Sequence, residues 1–210
     1  MSSAQAQAQA RMVERQLRRR GIRDERVLEA MARVPREAFV PAELAGHAYD
    51  DAALPIGEGQ TISQPYIVAA MCELLSLDGT ETVLDIGTGS GYAAAVLDEL
   101  AADVLSIEVV PVLAERARRA LEETGHAGVD LRVGDGRLGA ADRAPFRAIA
   151  AAAATATVPP ALYDQLAPGG RLVLPLGGRR GQRLVRLVRT PEGVAETSSI
   201  ACRFVPLVNG

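Results

Sequence analysis

From Val83 to Tyr92 the chain reads Val-Leu-Asp-Ile-Gly-Thr-Gly-Ser-Gly-Tyr, with Asp85, Gly87, Gly89 and Gly91 at alternate positions. Glycines at a strand-to-helix junction allow a tight turn and let backbone N–H groups approach a ligand closely. A dinucleotide loop is Gly-x-Gly-x-x-Gly and presents those groups to a pyrophosphate. Here the third glycine comes one residue early, and Asp85 precedes the loop inside the strand. A carboxylate there repels a pyrophosphate. It suits a ligand with a cationic end, such as the amino group of S-adenosylmethionine, with Thr88 and Ser90 as the loop's polar side chains. Two later acids extend the pattern. Glu108 ends the next strand, where a carboxylate can accept both ribose hydroxyls. Asp135, in Gly134-Asp135-Gly136, follows the third strand, within reach of an adenine amino group. Acids at three successive strand ends match ligand binding at the carboxyl edge of an open sheet.

Upstream, Thr61-Ile62-Ser63-Gln64-Pro65-Tyr66 opens an apolar helix, where a methyl-accepting substrate would enter. Methyl transfer is an in-line displacement at a sulfonium carbon, so a nucleophile must be positioned and, if necessary, deprotonated. No general base stands out. His47 and His126, the only histidines, are both expected on the solvated surface. A carboxylate nucleophile needs no base, since carboxyl groups ordinarily ionise at about pH 4. A hydroxyl such as Ser63 can hold one carboxylate oxygen and aim the other at the methyl. Other methylation chemistries lack their residues. Val158-Pro159-Pro160-Ala161 has neither the amide nor the aromatic that amino-group methylation of nucleic acids uses. No Pro-Cys nucleophile loop is present, and no acid cluster for a metal is expected.

The elements that must position these residues are legible in the pattern. Residues 6–20 form an amphipathic helix. Asp24 caps a second helix over Glu25–Val34, ended by Pro35. Residues 40–64 are loop-like. Pro65 is N1 of a helix to Leu77, with Ser63 or Gln64 at its cap. Strands then alternate with helices: Thr82–Ile86, Gly91–Leu100, Asp103–Ile107, Pro111–Glu123, Val129–Val133, Phe146–Ala152, Pro159–Leu166 and Gly170–Leu174. That alternation predicts a doubly wound α/β fold with a mostly parallel sheet. Arg183–Arg189 and Val194–Cys202, around the turn Thr190–Gly193, predict an antiparallel hairpin closing the edge.

A length of 210 residues predicts one domain: a helical, substrate-side segment over 1–78, a cofactor-binding core over 79–175, and a hairpin and tail over 176–210. The net charge of −3 and the absence of Trp give no case for a nucleic-acid partner. No run approaches the roughly 18 apolar residues of a membrane span, so no membrane partner is expected. Met1–Ala10 has no apolar leader core, and Cys72 and Cys202 sit in apolar settings. Both fit a reduced, cytoplasmic protein.

The chain resembles the protein-L-isoaspartate O-methyltransferase family over nearly its whole length, from Met12 to Leu207. The specific segments are Val40-Pro41, Ala48-Tyr49, Leu54–Gly57, Gly59–Met71, Val83–Tyr92, Gly134–Gly136, Leu166–Val173 and Arg203–Leu207. Of these, Gly59–Met71 is highly specific, whereas the glycine loop is common to many methyltransferases. The resemblance implies a Rossmann-like methyltransferase sheet with added N-terminal helices. It also implies an enzyme that takes S-adenosylmethionine, releases S-adenosylhomocysteine, and methylates the α-carboxylate of L-isoaspartyl residues in damaged proteins. The ester then collapses to a succinimide, which reopens partly to aspartate. By the same resemblance Ser63 is the active-site hydroxyl, and Thr61, Ile62 and Ser63 lie over the methyl-donor end. Asp85 through Gly91 line the methionine side, Glu108 takes the ribose, and Asp135 and Gly136 take the adenine. Ile62, Gln64, Val205 and Leu207 flank the substrate.

The chain departs from the family at the fourth strand, Phe146-Arg147-Ala148-Ile149-Ala150-Ala151-Ala152-Ala153-Ala154. Arg147 replaces an acid at the strand start, away from the ligand edge. Alanine is a poor strand former, and losing larger side chains removes core burial unless neighbours fill in. Two rival readings follow: a relative that esterifies an aspartyl or isoaspartyl carboxylate in one dedicated peptide, and a protein that binds S-adenosylmethionine without catalysis. Activity confined to one peptide marks the first, and binding without turnover marks the second. A nicotinamide oxidoreductase ranks last on its glycine spacing.

Overall fold

The computed structural model describes residues 3–178 and 181–207. Its centre is β3 (Thr82–Ile86), whose Val83, Leu84 and Ile86 are all buried. A strand covered on both faces is apolar throughout rather than alternating, so the buried Asp85 is its anomaly. The chain passes through α4 (Tyr92–Asp98) to β4 (Asp103–Glu108), then through α5 (Pro111–Glu123) to β5 (Asp130–Val133). It returns to the other side of β3 as β6 (Phe146–Ala151), followed by α6 (Pro160–Asp164) and β7 (Leu166–Gly178). The sheet ends with β8 (Gly181–Thr190) and β9 (Gly193–Cys202). The strand order is β5-β4-β3-β6-β7-β8-β9, parallel from β5 to β7 and antiparallel from β7 to β9. The connection from β3 runs to β4 and that from the adjacent β6 runs the other way to β7, so a crevice opens at the carboxyl ends of β3 and β6.

One sheet face, with Val83, Val104, Ala148 and Ala150, packs under α2 (Glu25–Arg33), α3 (Pro65–Leu75), α4 and α5. The other face, with Leu84, Ile86, Leu105 and Ile149, is closed by Leu162 of α6 and by Ala140. α3 packs against β6, and its Ala69 and Ala70 share the cluster of Ala148 and Ala150. Small side chains on both elements let the helix sit close, which replaces the missing volume.

The N-terminal helix α1 (Ser3–Met12) loosens through Val13–Leu17 and tightens through Arg18–Arg20 before Gly21 ends it. Asp24 caps α2 by accepting from the Arg26 N–H at 2.9 Å. Gln64 stands at the cap position of α3, with no side-chain capping bond. Several expectations need correction. Residues 40–64 are not merely loop: Ala42–His47 forms a short helical turn, and β1 (Leu54–Gly57) pairs with β2 (Gln60–Ile62) as a hairpin. Its turn is Gly57-Glu58-Gly59, all with positive φ, and Pro55 inside β1 masks the strand signal. β7 begins at Leu166 rather than Gly170, and the helices α4 and α6 are shorter than predicted. His126 is buried rather than solvated, because Gly125 at φ +87° folds the chain back and brings its Nδ1 2.9 Å from Asp98 Oδ2. His47 is exposed beside Asp50.

Candidate active site

The crevice at the ends of β3, β4 and β6 holds a cavity. Its floor is Ile86 through Ser90, Glu108 to Val110, Gly136, and Ala152-Ala153. Its roof is Gln60 to Ser63 from the hairpin and Val205 to Leu207 from the C-terminal tail.

The floor is set by the glycine loop. Gly87, Gly89 and Gly91 have φ of +86°, +55° and +92°, which side chains with a Cβ rarely adopt. The Gly87 N–H donates to Ile107 O at 2.8 Å, lashing the loop to the end of β4. Glu108 completes the lashing. Its Oε2 accepts the Gly89 N–H at 2.7 Å and its Oε1 accepts the Val110 N–H at 2.9 Å. An ionised carboxylate has about four acceptor positions, so two remain for ligand hydroxyls. Gly136 is required on packing grounds: a Cβ there would lie 2.3 Å from Ile86 Cγ2.

Two predicted residues stand off the cavity wall. Asp85 is 1% exposed, and its Oδ2 accepts the Ser106 hydroxyl at 2.7 Å. Burial pushes its carboxyl up to about 6, the Ser106 bond opposes this, and the Glu108 charge adds to it. Asp135 caps the turn Gly136–Leu138, and Arg137 holds its carboxylate with a closest contact of 2.6 Å. Gly136 lines the cavity and Asp135 does not.

The roof is built differently. Ile62 is buried, Ser63 half-buried and Thr61 exposed. Among the described residues the Ser63 hydroxyl has no hydrogen-bond partner. Its carbonyl does: Arg36, fully buried, donates from Nη2 to Ser63 O at 2.8 Å and from Nε to Ala48 O at 2.7 Å. The guanidinium sits 4.8 Å above the Tyr92 ring. Burial lowers it to about 10, so it stays charged at neutral pH. The tail is pinned across the end of β6, since Ala154 N–H donates to Val205 O and Leu207 N–H to Ala154 O, both at 2.8 Å. That pairing brings Val205 and Leu207, remote in sequence, to Ser63.

A second, open groove of about 1150 Å³ lies beyond this roof, lined by Gln64, Tyr66, Ala154, Arg203 and Phe204 among others. The two spaces share Thr61, Ser63, Ala152, Val205 and Pro206. Gln64 faces the groove, and its Nε2 donates to Asp51 Oδ1 at 2.7 Å. Asp51 also holds Arg20, whose guanidinium stacks on Tyr66 at 3.9 Å.

Sequence reasoning missed Arg36 and Ser106. In a chain whose 23 basic residues are all arginine, nothing distinguishes Arg36 until the fold buries it. Ser106 carries a weak signal, a polar residue at the centre of an apolar strand. Among the described residues no three His, Cys, Asp or Glu side chains converge as a metal site.

Comparison with known proteins agrees with this geometry. The family model described as Protein-L-isoaspartate(D-aspartate) O-methyltransferase matches residues 7–210. A protein-L-isoaspartate O-methyltransferase of Geotalea uraniireducens is 52% identical over 202 residues, covering 96% of this chain and 93% of the relative. One from Marinobacter nauticus is 56% identical over 199 residues, covering 94% and 91%. A solved protein-L-isoaspartate O-methyltransferase structure superposes with a TM-score of 0.85 at 27% identity, covering 96% of this chain and 66% of that one. A Plasmodium falciparum structure in complex with S-adenosyl-L-homocysteine shares the fold, with a TM-score of 0.84 at 22% identity over 96% and 99% of the two chains.

Proposed function

This chain belongs to the protein-L-isoaspartate O-methyltransferase family, and from that premise we propose that the α-carboxylate of an L-isoaspartyl residue is methylated beside Ser63, where the two spaces meet. The protein is an S-adenosylmethionine-dependent methyltransferase acting on L-isoaspartyl residues of damaged proteins. The observation that carries the site assignment is the shared wall of Thr61, Ser63, Ala152, Val205 and Pro206 between the inner cavity and the open groove.

The residues present fit the cofactor. Glu108 keeps acceptor positions for ribose hydroxyls at the cavity edge, and Gly136, packed closely against Ile86, lines the cavity without a side chain. When bound, S-adenosylmethionine supplies an electrophilic methyl on a sulfonium sulfur. A carboxylate oxygen of the acceptor would be the nucleophile toward that methyl, with the C–S pair returning to sulfur as the O–C bond forms. No proton moves, so no general base is needed. The task of the protein is alignment. The Ser63 hydroxyl, without a partner among the described residues, donates to one carboxylate oxygen and aims the other. Arg36 holds the Ser63 carbonyl in place. The backbone of Val205 to Leu207 flanks the peptide. The ester then closes to a succinimide by attack of the next backbone nitrogen, with methanol leaving.

The groove supports a general repair role over a dedicated peptide. Ala52, Ala53, Ala154, Ala156 and Gly178 leave room for varied flanking residues. A cytoplasmic site of action fits the two free cysteines, of which Cys72 is buried. Labelled methyl transfer to a matched isoaspartyl and aspartyl peptide pair tests the assignment. Label in the isoaspartyl peptide alone is expected across several flanking sequences, and label confined to one flanking sequence would overturn the general role.

A further inference from the structure

Asp85 is buried behind the cavity rather than in its wall. A chain of hydroxyls connects it to that wall. Ser106 Oγ lies 2.7 Å from Asp85 Oδ2 and 2.5 Å from Thr88 Oγ1. Ser106 and Thr88 are both buried, and Thr88 lines the cavity. Two hydroxyls carry two protons, so the charge on Asp85 decides where both point. When Asp85 is ionised it can only accept, so Ser106 donates to it and Thr88 donates to Ser106. Thr88 then turns lone pairs toward the cavity. When Asp85 is protonated it can donate to Ser106, Ser106 to Thr88, and the Thr88 proton is free to point into the cavity.

We propose that Ser106 is a positioning residue that transmits the charge of Asp85 to the cavity surface, so that Thr88 presents an acceptor to the cationic end of the cofactor and cofactor binding is linked to the Asp85 proton. The inference rests on S-adenosylmethionine occupying this cavity. It explains how a carboxylate off the wall selects a cationic ligand. The groups facing Asp85 are Ser106 and Glu108 from β4 and the Cys72 thiol from α3, while β6 presents Ala150 beside it. Burial pushes Cys72 up to about 12, so it stays neutral. The carboxyl of Asp85, lifted by burial to about 6, changes charge within reach of ordinary assay conditions.

The test is the dissociation constant of S-adenosylhomocysteine, measured by calorimetry from pH 5 to pH 7. Over that range the ligand keeps both charges, since an α-amino group ordinarily titrates at about 8 and an α-carboxyl group at about 3.5. The wild-type constant is expected to weaken toward about tenfold per pH unit below the Asp85 midpoint, with a proton released on binding. Ser106→Ala removes the relay between Asp85 and Thr88, so the pH profile flattens and affinity at pH 7 falls several-fold. Thr88→Val keeps the Asp85–Ser106 bond and cuts the last link, so the profile flattens. A wild-type profile flat across the range, or a Ser106→Ala profile as steep as wild type, overturns the proposal. Should Ser106→Ala not fold, the wild-type and Thr88→Val profiles decide it alone. Either failure leaves binding and methyl transfer at pH 7 intact, so it is distinct from failure of the assigned reaction.

Discussion

On the β3–β4 side of the site the polar side chains are buried and already bonded: Asp85 to Ser106, Ser106 to Thr88, and Glu108 to two backbone N–H groups. On the roof side Thr61 is exposed, Ser63 is half-buried, and the Ser63 hydroxyl has no partner among the described residues. The first side is organised before a ligand arrives, as suits one invariant cofactor. The second offers free donors and open space, as suits an acceptor whose neighbours change from one damaged protein to the next. Preorganisation has a stability cost. The folded-state carboxyl of Asp85 sits near 6 against an ordinary aspartate value of 3.8. Its contribution to stability is full below pH 3.8 and is lost as pH rises through about 6, leaving a cost on the order of 3 kcal/mol at neutral pH.

The contrast breaks if substitutions on the two sides act alike. Ser63→Ala is expected to have the largest effect, lowering turnover about 100-fold or more, the scale of losing a donor aimed at the reacting group. Steady-state methyl transfer reads it. Asp85→Asn comes next: affinity for S-adenosylhomocysteine falls about 10- to 100-fold, the scale of one charged hydrogen-bond contact. The same variant without ligand should melt several degrees higher at pH 8, with the gain fading at pH 4. A lower melting temperature at pH 8 would show that Asp85 stabilises the fold. Glu108→Ala should weaken affinity about tenfold and free the Gly89 and Val110 N–H groups, visible as faster hydrogen exchange at the loop. Arg147→Asp is smallest: the side chain is exposed at the start of β6, away from the cavity, and both binding and turnover should stay within about twofold.

The two sides also differ in how far they were legible in the sequence. β3 and α5 fall at the predicted residues, because a near-continuous apolar run and an amphipathic, Pro-started helix are strong local signals. The glycine loop and Glu108 reach the cavity as their spacing predicts. Asp85 and Asp135 occupy the right strand ends, but spacing says nothing of the Ser106 and Arg137 side chains that engage their carboxylates. The roof was less readable. The β1–β2 hairpin hides behind Pro55 and three positive-φ residues, and Arg36 acts through a contact 27 residues away. Val205 reaches the site through its pairing with Ala154. Burial of His126 likewise depends on the chain after α5 folding back toward Asp98. Long-range pairing and burial, rather than propensity, decide each of these.

The division between the two sides is tested most directly by the dissociation constant of S-adenosylhomocysteine for Ser63→Ala beside wild type at pH 7.5. Constants within about twofold of each other are expected, although turnover has collapsed. A loss of tenfold or more would make Ser63 part of the cofactor's own binding wall and contradict the separation of an organised cofactor side from an open acceptor side.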